Sequence, residues 1–391
     1  MLGLNPTLRS NPAGRTVRVG LGDVAYEAFV PNPLPPEIPL DLELFAALSD
    51  ADRALGELSG LGRMIPNPDL LINPFIRKEA VLSSRIEGTQ ATITDLYEFE
   101  AGGESQGRRG GSEDVHEVVN YIAAFWYGFN RIDELPISGR LLKEMHELLR
   151  EGVRGTDMNP GEFRTTQNWI GPQKCLLKDA TFVPPPVAEM EEAISAFERY
   201  LHEPDPGLPP LVRLALIHCQ FEMIHPFLDG NGRIGRLLVS LLLVNWKLLP
   251  LPLLYLSAFF ERDRDLYYQR LLGTSRHGAW RDWVLYFLGG VALQARDATE
   301  RAKRLQDLQQ RWRGEVTQAR SSALLLKLVD SLFRSPVLTV PGAARLLGVT
   351  YPAAKSNVDK LVAAGILHPF RGGPAYGRRF WASDVLDVIG D

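Results

Sequence analysis

The sequence predicts a mainly helical fold, and three observations lead to this expectation. Apolar residues recur at helical spacing through most of residues 41–315. Segments rich in β-branched and turn-forming residues are short, and they lie near the two ends and within residues 151–187. The chain has 391 residues, more than one hydrophobic core usually organises, and no internal repeat, so we expect two or three domains.

Composition narrows the class of protein. Apolar residues make up 45% of the chain and charged residues 23%, which is ordinary for a soluble globular protein, and the net charge of −4 disfavours uniform coating of nucleic acid. The only cysteines, Cys175 and Cys219, lie far apart and without a metal-ligand pattern, which disfavours a disulfide framework or a structural zinc site. The first residues lack the apolar run and cleavage site of a signal peptide. We therefore expect a cytoplasmic protein.

The N-terminal region is predicted to be extended first and helical afterwards. Residues 17–31 favour one or two strands, and residues 31–41 form a polyproline-type run. A helix is expected over about 41–60.

A second N-terminal helix is predicted over about 74–88. Asn73 is a suitable N-cap, Pro74 suits the first turn, and Gly88 follows the end. The flexible composition of residues 101–112 then marks the end of the N-terminal region, which we place at residues 1–110.

Residues 111–315 are predicted to form the central domain. Two helices lie between Glu113 and about Arg150, and residues 151–187 favour a short hairpin that ends at the proline run 184–186. Further helices are expected at about 187–203, 211–223, 232–247, 256–273 and 279–315.

The apolar stretch 237–260 raises the question of a membrane span. Asn245, Pro250 and Pro252 interrupt it, whereas lipid requires a continuous hydrogen-bonded helix. A buried helix, a turn broken by proline and a second helix explain the stretch better, so no membrane partner is expected.

Residues 316–391 change character and resemble a winged helix-turn-helix domain. A helix–turn–helix pattern with Gly348 in the turn precedes RGGPAYGRRFWA, which has the composition of a wing. Residues 320–391 contain nine Lys or Arg and five Asp or Glu, a local net charge of +4. Contact with DNA through these residues and contact with another protein are both open.

The motif with the most chemical content is HPFLDGNGRIGR, over residues 225–236. Gly230 and Gly232 allow backbone N–H groups to converge on an anion at the start of a helix, where the helix dipole adds attraction. Arg233 and Arg236 are three residues apart, so they share one helix face and can both reach phosphate oxygens.

The same motif offers a metal ligand and a base. Asp229 supplies a hard oxygen of the kind that suits Mg²⁺ already bound to phosphates. His225 can be neutral near pH 7 and accept a proton. Each residue alone is explained by a capped loop between core helices, but together they indicate phosphoryl or nucleotidyl transfer.

The motif resembles the signature of the Fic family, HPF-x-[D/E]-GNGR-x-x-R, at every defined position. The resemblance extends over roughly residues 30–300 and includes SSRIEGT and LSAFFERDRDLYYQRL. It implies a helical catalytic core whose hairpin at 174–186, the flap, pairs with an extended segment of a target protein.

Roles for the motif residues follow from the resemblance. It implies that His225 deprotonates a Ser, Thr or Tyr hydroxyl, which then attacks the α-phosphate of ATP, while Asp229 holds Mg²⁺ between the α- and β-phosphates. Phosphate contacts are implied for Gly230, Asn231, Gly232, Arg233 and, at the γ-phosphate, Arg236. Relatives that act as kinases carry Lys at position 232, so Gly232 favours AMP transfer. Tyr267 or Tyr268 is a candidate for the nucleoside pocket, with packing in the core as the alternative.

The segment SSRIEG resembles the family's inhibitory motif. The resemblance implies that Ser83 and Glu87, four residues apart on one helix face, belong to a helix that restrains the enzyme, and that Glu87 competes with the γ-phosphate for Arg236. In some relatives the equivalent Glu also activates water to remove AMP from a modified target.

The resulting hypothesis is an autoinhibited protein adenylyltransferase that uses ATP, acts on another protein or on itself, and forms a homodimer as related proteins do. The main alternative is an ATP-sensing, DNA-binding transcriptional regulator. A toxin released by a separate inhibitor ranks lower, because the inhibitory motif lies in the same chain.

Overall fold

A computed structural model describes residues 11–22, 25–65, 68–101, 111–153, 159–172, 174–204, 207–318, 323–370 and 379–390. The fold is mainly helical, as the sequence predicts.

The N-terminal elements are β1 (Gly14–Val19), β2 (Tyr26–Pro31), α1 (Leu42–Met64), α2 (Asp69–Ile86) and α3 (Ile93–Glu100). The middle of the chain contains α4 (Gly111–Arg131), α5 (Gly139–Leu149), a 3₁₀ turn (Leu177–Asp179), α6 (Val187–Leu201), α7 (Pro210–Ile224), α8 (Asn231–Asn245), α9 (Ser257–Arg262), α10 (Arg264–His277) and α11 (Trp280–Gln318). The last elements are α12 (Ala323–Arg334), β3 (Val337–Thr339), α13 (Val340–Leu347), α14 (Tyr351–Ala363), β4 (His368–Pro369), β5 (Arg379–Trp381) and α15 (Ser383–Ile389).

Contacts divide the described residues into two units, and each unit combines segments that are distant in sequence. The first unit contains residues up to Arg53, Ala123–Asn245 and Phe259–Ala292; the second contains Ala54–Ile122, Trp246–Ala258 and residues from Leu293 onward. The three-domain division at residues 110 and 315 stays a prediction.

The core of the first unit is built around α7 and α8. Both helices are apolar on nearly every face, so they are buried on nearly every face. Trp283 of α11 packs there and donates from its indole N–H to the carbonyl of Ala215 in α7, at 2.8 Å. Strands β1 and β2 form an antiparallel pair whose register runs from Gly14 opposite Pro31 to Val19 opposite Tyr26.

The second unit contains α2 and α3 together with the C-terminal elements. Helices α12 and α15 both pack against α2, and α13 and α14 pack against α12 and each other. Strands β3, β5 and β4 form an antiparallel sheet in that order. The Thr339 hydroxyl caps the start of α13, and Gly348 ends that helix in the left-handed conformation.

Two predicted helix boundaries are wrong. Helix α2 begins at Asp69 rather than after Asn73, because the earlier start buries Leu71 and Ile72. Asn73 is therefore inside the helix, where its amide donates to the carbonyl of Asp69 at 2.8 Å. The end of the helix at Gly88 is confirmed, and Gly88 has a φ of 107°.

The helix predicted over 256–273 is two helices, α9 and α10. Asp263 separates them, and its carboxylate accepts a hydrogen bond from the N–H of Leu266 at 3.0 Å, which caps the start of α10.

The described part of residues 151–187, where a short hairpin is predicted, contains one pair of bridged residues. Ile170 and Phe182 form an isolated antiparallel bridge, and the 3₁₀ turn lies between them. The carbonyl of Val183 also accepts a hydrogen bond from the N–H of Phe29 in β2, at 2.9 Å. The flap is therefore connected to the N-terminal strand pair.

The stretch 237–260 folds as the sequence predicts, with α8, an interruption at 246–256 and then α9. Among the described residues no helix is long and apolar enough to cross a bilayer. The proposed wing sequence lies largely in residues 371–378, and the predicted linker in 102–110; both fall outside the described residues.

Candidate active site

The motif residues lie on the loop and helix start that follow α7. His225 is the C-cap of α7, with φ 50° and ψ 60°, and its N–H still donates to the carbonyl of Phe221 at 3.0 Å. Residues other than glycine rarely adopt this left-handed conformation, and such strain concentrates at functional sites. The conformation turns the chain sharply out of the helix at the candidate base.

The loop is closed by Asn231, the first residue of α8. Its side-chain oxygen accepts a hydrogen bond from the N–H of Phe227, and its side-chain amide donates to the carbonyl of the same residue, both at 2.8 Å. Asn231 is buried. Its side chain is thus engaged in holding the loop, and the first N–H groups of α8 are the groups at this position with no partner within the helix.

Asp229 is the acidic residue of the loop. One carboxylate oxygen accepts from the N–H of Gly230 at 2.6 Å; the other lies 2.8 Å from the guanidinium of Arg150 and 3.9 Å from that of Arg233. Burial by itself would raise the pKa of the Asp229 carboxyl, but Arg233 and Arg150 outweigh it and lower the pKa. Asp229 is ionised at neutral pH, and its side chain remains half exposed.

A second histidine, His146, supports this loop from α5. Its Nδ1 accepts from the N–H of Gly161 at 3.0 Å, so its Nε2 carries the hydrogen and donates to the carbonyl of Asp229 at 2.9 Å. The ring stacks on Phe227 with centroids 4.0 Å apart. Burial lowers the pKa of His146 to about 4, so the ring is neutral in the range where cells operate.

The carbonyl of His225 is held by two further side chains. Arg164 donates to it from Nε at 3.0 Å, and the Asn168 amide approaches it at 3.4 Å. The guanidinium of Arg164 also donates to the carbonyl of Pro185, and the backbone N–H of Arg164 donates to the carbonyl of Pro226. One buried cation thereby connects the loop that carries His225 to the proline run at the end of the flap.

The His225 ring is oriented by the last turn of α7. Its Nδ1 lies 3.2 Å from the carbonyl of Glu222, and a carbonyl can only accept. Nδ1 therefore carries the hydrogen in the neutral ring, and Nε2 is the nitrogen able to take up a proton.

The two motif arginines are almost completely buried in α8, with exposed fractions of 2% for Arg233 and 3% for Arg236. Helix α8 can approach α7 closely because Gly235 has no side chain. A Cβ at this position would lie 2.6 Å from Oε1 of Glu222 and 3.2 Å from the ring of Phe221. The two helices thus bring His225 and the arginines into one compact unit.

The two tyrosine candidates differ in position. Tyr267 is buried in the core, where its hydroxyl lies 2.9 Å from Nε2 of His218, so core packing is the better description of this residue. Burial and the nearby Arg236 lower the pKa of His218 to about 3. Tyr268 is 37% exposed and lies under the guanidinium of Arg264. A nucleoside contact stays a prediction for Tyr268.

The inhibitory-motif residues belong to the second unit. Ser83 is buried within α2, and Glu87 is the exposed C-cap of that helix. The turn that follows is well defined, since Thr89 donates from its N–H to the carbonyl of Ser84 at 3.2 Å and Gln90 donates to the carboxylate of Asp114 at 2.7 Å.

Asp229 supplies the one carboxylate of the loop that could act as a metal ligand. No cluster of three or more His, Cys, Asp or Glu side chains able to hold a metal occurs in the described ranges. A half-exposed, ionised Asp229 beside the start of α8 nevertheless fits Mg²⁺, which is commonly held by one or two carboxylates together with substrate phosphates.

Sequence reasoning found the residues of the motif but missed those that hold them, namely His146, Arg150, Arg164 and Asn168. No local sequence pattern indicates that the side chains of Arg164 and Asn168 bind backbone carbonyls. For His146, the available signal was a polar residue on the otherwise apolar face of α5.

Comparison with known proteins gives two family matches. Residues 45–130 match the family described as Fic/DOC family N-terminal, and residues 136–243 match the Fic/DOC family. The protein adenylyltransferase Fic of Nematostella vectensis is 30% identical over 155 residues, which cover 39% of this chain and 30% of that protein. The protein of the same name from Drosophila grimshawi is 37% identical over 139 residues, which cover 34% of this chain and 26% of that protein. The similarity thus spans less than a third of each relative.

Solved structures show the same fold. A Fic family protein from Desulfovibrio desulfuricans aligns with a TM-score of 0.57 at 20% identity and covers 89% of this chain and 98% of its own. A Fic domain containing signaling protein from Bacteroides thetaiotaomicron aligns with a TM-score of 0.53 at 20% identity, over 66% of this chain and 96% of its own.

Proposed function

We propose that this chain, which matches the Fic/DOC family N-terminal region over residues 45–130 and the Fic/DOC family over residues 136–243, transfers AMP from ATP to a hydroxyl group of a protein. The observation that carries the proposal is the loop from His225 to Asn231, in which a base, an ionised carboxylate and a helix start are held in one rigid turn. The names of the relatives support the same activity.

In the proposed transfer, His225 acts on the target hydroxyl and the residues of α8 act on the phosphates. Nε2 of His225 takes the proton of the target hydroxyl as its oxygen forms a bond to the α-phosphorus. The bond between that phosphorus and the oxygen bridging to the β-phosphate breaks, and pyrophosphate leaves. The first N–H groups of α8, together with Arg233 and Arg236, bind the phosphate oxygens. Mg²⁺ at Asp229, when bound, would supply charge neutralisation at the phosphates.

We further propose that Glu87 restrains this transfer, the role that its motif implies. Its position at the C-terminal end of α2 supports a role other than local stabilisation, because a negative charge there is disfavoured by the helix dipole. Removal of AMP from a modified protein is a second activity that the same residue could support.

The test uses ATP radiolabelled at the α-phosphate or, separately, at the γ-phosphate, with wild type, Glu87→Gly and Glu87→Gly/His225→Ala. We expect label from the α-position alone, strongest in Glu87→Gly and absent from the double variant. Label from the γ-position would instead identify a kinase. A Glu87→Gly variant that labels no more than wild type would show that Glu87 is not a restraint.

Removal of AMP is tested on protein that has been modified beforehand with Glu87→Gly. Wild type should release AMP and Glu87→Gln should not, if Glu87 activates the attacking water. Equal release by both proteins would exclude Glu87 as the base.

A DNA-binding regulator is the second candidate function. The order α12, β3, α13, α14, β4, β5 and the exposed face of α14, which includes Lys355 and Lys360, support a winged-helix interpretation. Binding of duplex DNA with an affinity that falls as salt rises would support it. Failure to bind any duplex at low salt would leave protein contact as the role of these helices.

A further inference from the structure

Three basic side chains connect residues 379–390 to three helices, α2, α3 and α11, within the second unit. Lys78 of α2 donates from Nζ to the carbonyls of Ile389 at 2.8 Å and Gly390 at 2.7 Å. Arg301 of α11 donates to the same stretch of main chain, at 3.1 Å to Ile389 and 2.6 Å to Val388.

The third contact involves β5 and α3. Arg379 forms an ion pair with Glu98 at 3.1 Å, and both side chains are largely buried. We refer to Lys78, Arg301 and Arg379, with their partners, as the C-terminal clamp.

Two of the helices that receive the clamp, α2 and α3, are also joined to each other. Arg77, next to Lys78 on α2, binds both carboxylate oxygens of Glu100 at the end of α3, at 2.9 and 3.0 Å. Lys78 precedes Glu87 by nine residues, about 14 Å along a continuous helix at its usual rise per residue. A displacement of α2 at Lys78 is therefore transmitted to Glu87.

The residue after Lys78, Glu79, adds a buried carboxylate to the contacts of the same helix. Glu79 accepts hydrogen bonds from the Tyr121 hydroxyl at 3.1 Å and from the N–H of Ser257 at 3.2 Å. Adjacent residues of α2 thus bind different parts of the chain. Lys78 binds the carbonyls of Ile389 and Gly390, and Glu79 binds Tyr121 of α4 and Ser257 at the start of α9.

The clamp also connects to the helix–turn–helix elements. Helix α12 packs directly against α2, and α13 and α14 pack against α12. The rings of Trp312 in α11 and Phe333 in α12 pack at a tilt with centroids 5.3 Å apart, and Arg313 pairs with Asp330 between the same two helices. A partner that displaces α13 or α14 thus acts on the surface against which α2 rests.

We propose that residues 323–390 form a regulatory module that holds α2 in the position from which Glu87 restrains AMP transfer. The C-terminal clamp supplies the contacts that hold α2. The inference rests on the proposed function, specifically on Glu87 as a restraint. Loosening the clamp frees α2 and raises transfer. A ligand of the α13–α14 pair that loosens the clamp has the same effect.

A simpler role for Lys78 and Arg301 would be to satisfy the last carbonyls of α15, as cations often do at helix C-termini. That role stabilises α15 alone, and it makes no connection between the clamp and Glu87. Dependence on Glu87 therefore separates the two explanations.

The experiment compares Lys78→Met and Arg301→Met, which keep much of each apolar stem, with Lys303→Met as a control. Lys303 lies on the same helix as Arg301 and forms an exposed ion pair with Glu57 at 3.0 Å. Each substitution is made in wild type and in Glu87→Gly, and AMP transfer from α-labelled ATP is measured. We expect roughly a fivefold or greater rise for each clamp variant when Glu87 is present, no rise in the Glu87→Gly background, and no change for Lys303→Met.

Several results would overturn the inference. A clamp variant that transfers no faster than wild type, or one that is raised equally in both backgrounds, shows that the clamp does not act through Glu87. If Glu87→Gly itself equals wild type, the restraint in the proposed function is wrong, and the inference falls with it.

Amide hydrogen exchange supplies a readout that needs no transferase activity. Lys78→Met and Arg301→Met should exchange faster than wild type over residues 79–87, while Lys303→Met should not. Unchanged exchange over α2 in both clamp variants would reject the clamp itself, whatever the activity of Glu87→Gly.

Discussion

The imidazole of His146 donates a hydrogen bond from Nε2 to the backbone carbonyl of Asp229, at 2.9 Å. Because Nδ1 of the same ring accepts from the N–H of Gly161, the tautomer is fixed, and the two ring nitrogens cannot exchange their donor and acceptor roles. The main chain of Asp229, whose carboxylate we propose as the Mg²⁺ ligand, is thus held by a residue that lies outside the sequence motif.

Replacing His146 by Ala should lower AMP transfer and raise the Mg²⁺ concentration needed for half-maximal rate. The substitution leaves the carbonyl of Asp229 and the N–H of Gly161 without their partner, so the loop loses its orientation. We expect about a 10- to 100-fold loss, the range typical of residues that orient a metal ligand. Initial rates over a Mg²⁺ titration, in the Glu87→Gly background, measure it.

The matched control is His277→Ala, since His277 is an exposed histidine in the same unit. It should leave both the rate and the Mg²⁺ dependence unchanged. A His146→Ala protein with wild-type Mg²⁺ dependence would show that His146 only fills space beside Phe227.

The same histidine predicts a dependence of stability on pH. Burial lowers the pKa of His146 to about 4 in the folded protein, against about 6.5 when unfolded, so the unfolded chain binds more protons between these values. The free energy of unfolding should fall as pH decreases from 6.5 towards 4 and level off below it.

The measurement is urea denaturation of wild type and His146→Gln at about pH 7 and pH 5. Wild type should lose about 2 kcal/mol more than the variant between these conditions, since 1 pKa unit corresponds to about 1.4 kcal/mol. His218, with a pKa lowered to about 3, contributes equally to both proteins and cancels. An identical loss in wild type and variant would contradict the assignment of a neutral, buried His146.

Arg164 should not tolerate replacement by Lys. Its guanidinium reaches the carbonyls of His225 and Pro185 at the same time, whereas a lysine ammonium is a single point charge on a flexible stem. Arg164→Lys should reduce AMP transfer by roughly tenfold or more, because displacement of a catalytic group by about 1 Å can cost that much or more.

Steady-state kinetics distinguish this effect from simple destabilisation. With ATP varied in the Glu87→Gly background, kcat should fall and the KM for ATP should change little, since Arg164 holds the main chain at His225, the proposed base. Arg276→Lys is the matched control, because Arg276 is exposed and makes one bond to the carbonyl of Thr181. A comparable fall in kcat for Arg276→Lys would contradict the role given to Arg164.

Much of the fold was predictable from sequence for a physical reason, and the sequence also supplied a hypothesis for the site. Helical spacing and capping residues are local signals, and they located α1, α4 to α8 and α11. The motif residues are contiguous, so their chemistry could be derived from one short segment. Local signals failed where tertiary burial outweighed them, as at Asn73, where a good N-cap lies inside α2 because the preceding turn is buried.

The supporting residues could not be predicted because their partners are distant in sequence. His146 lies 83 residues from Asp229, and Arg164 lies 61 residues from His225. On α5, His146 shares its buried face with Leu142, Met145 and Leu149, so its position looks like that of a core residue. Only the fold reveals that its two nitrogens connect two loops.

Helices α7 and α8 approach each other closely at Gly235. Gly235→Ala would place a Cβ 2.6 Å from Oε1 of Glu222 and 3.2 Å from the ring of Phe221, so the helices must separate or Glu222 must move. We expect a loss of about 1–3 kcal/mol in the free energy of unfolding, the usual cost of overpacking, together with weaker ATP binding because Arg236 moves with the helix.

Gly289→Ala in α11 is the control, since a Cβ there meets no atom within 4 Å. Because alanine favours helix over glycine, that control should gain about 0.5–1 kcal/mol. Urea denaturation and ATP titration of both variants measure these effects, and a Gly235→Ala protein as stable as Gly289→Ala would show that Gly235 is not needed for the contact.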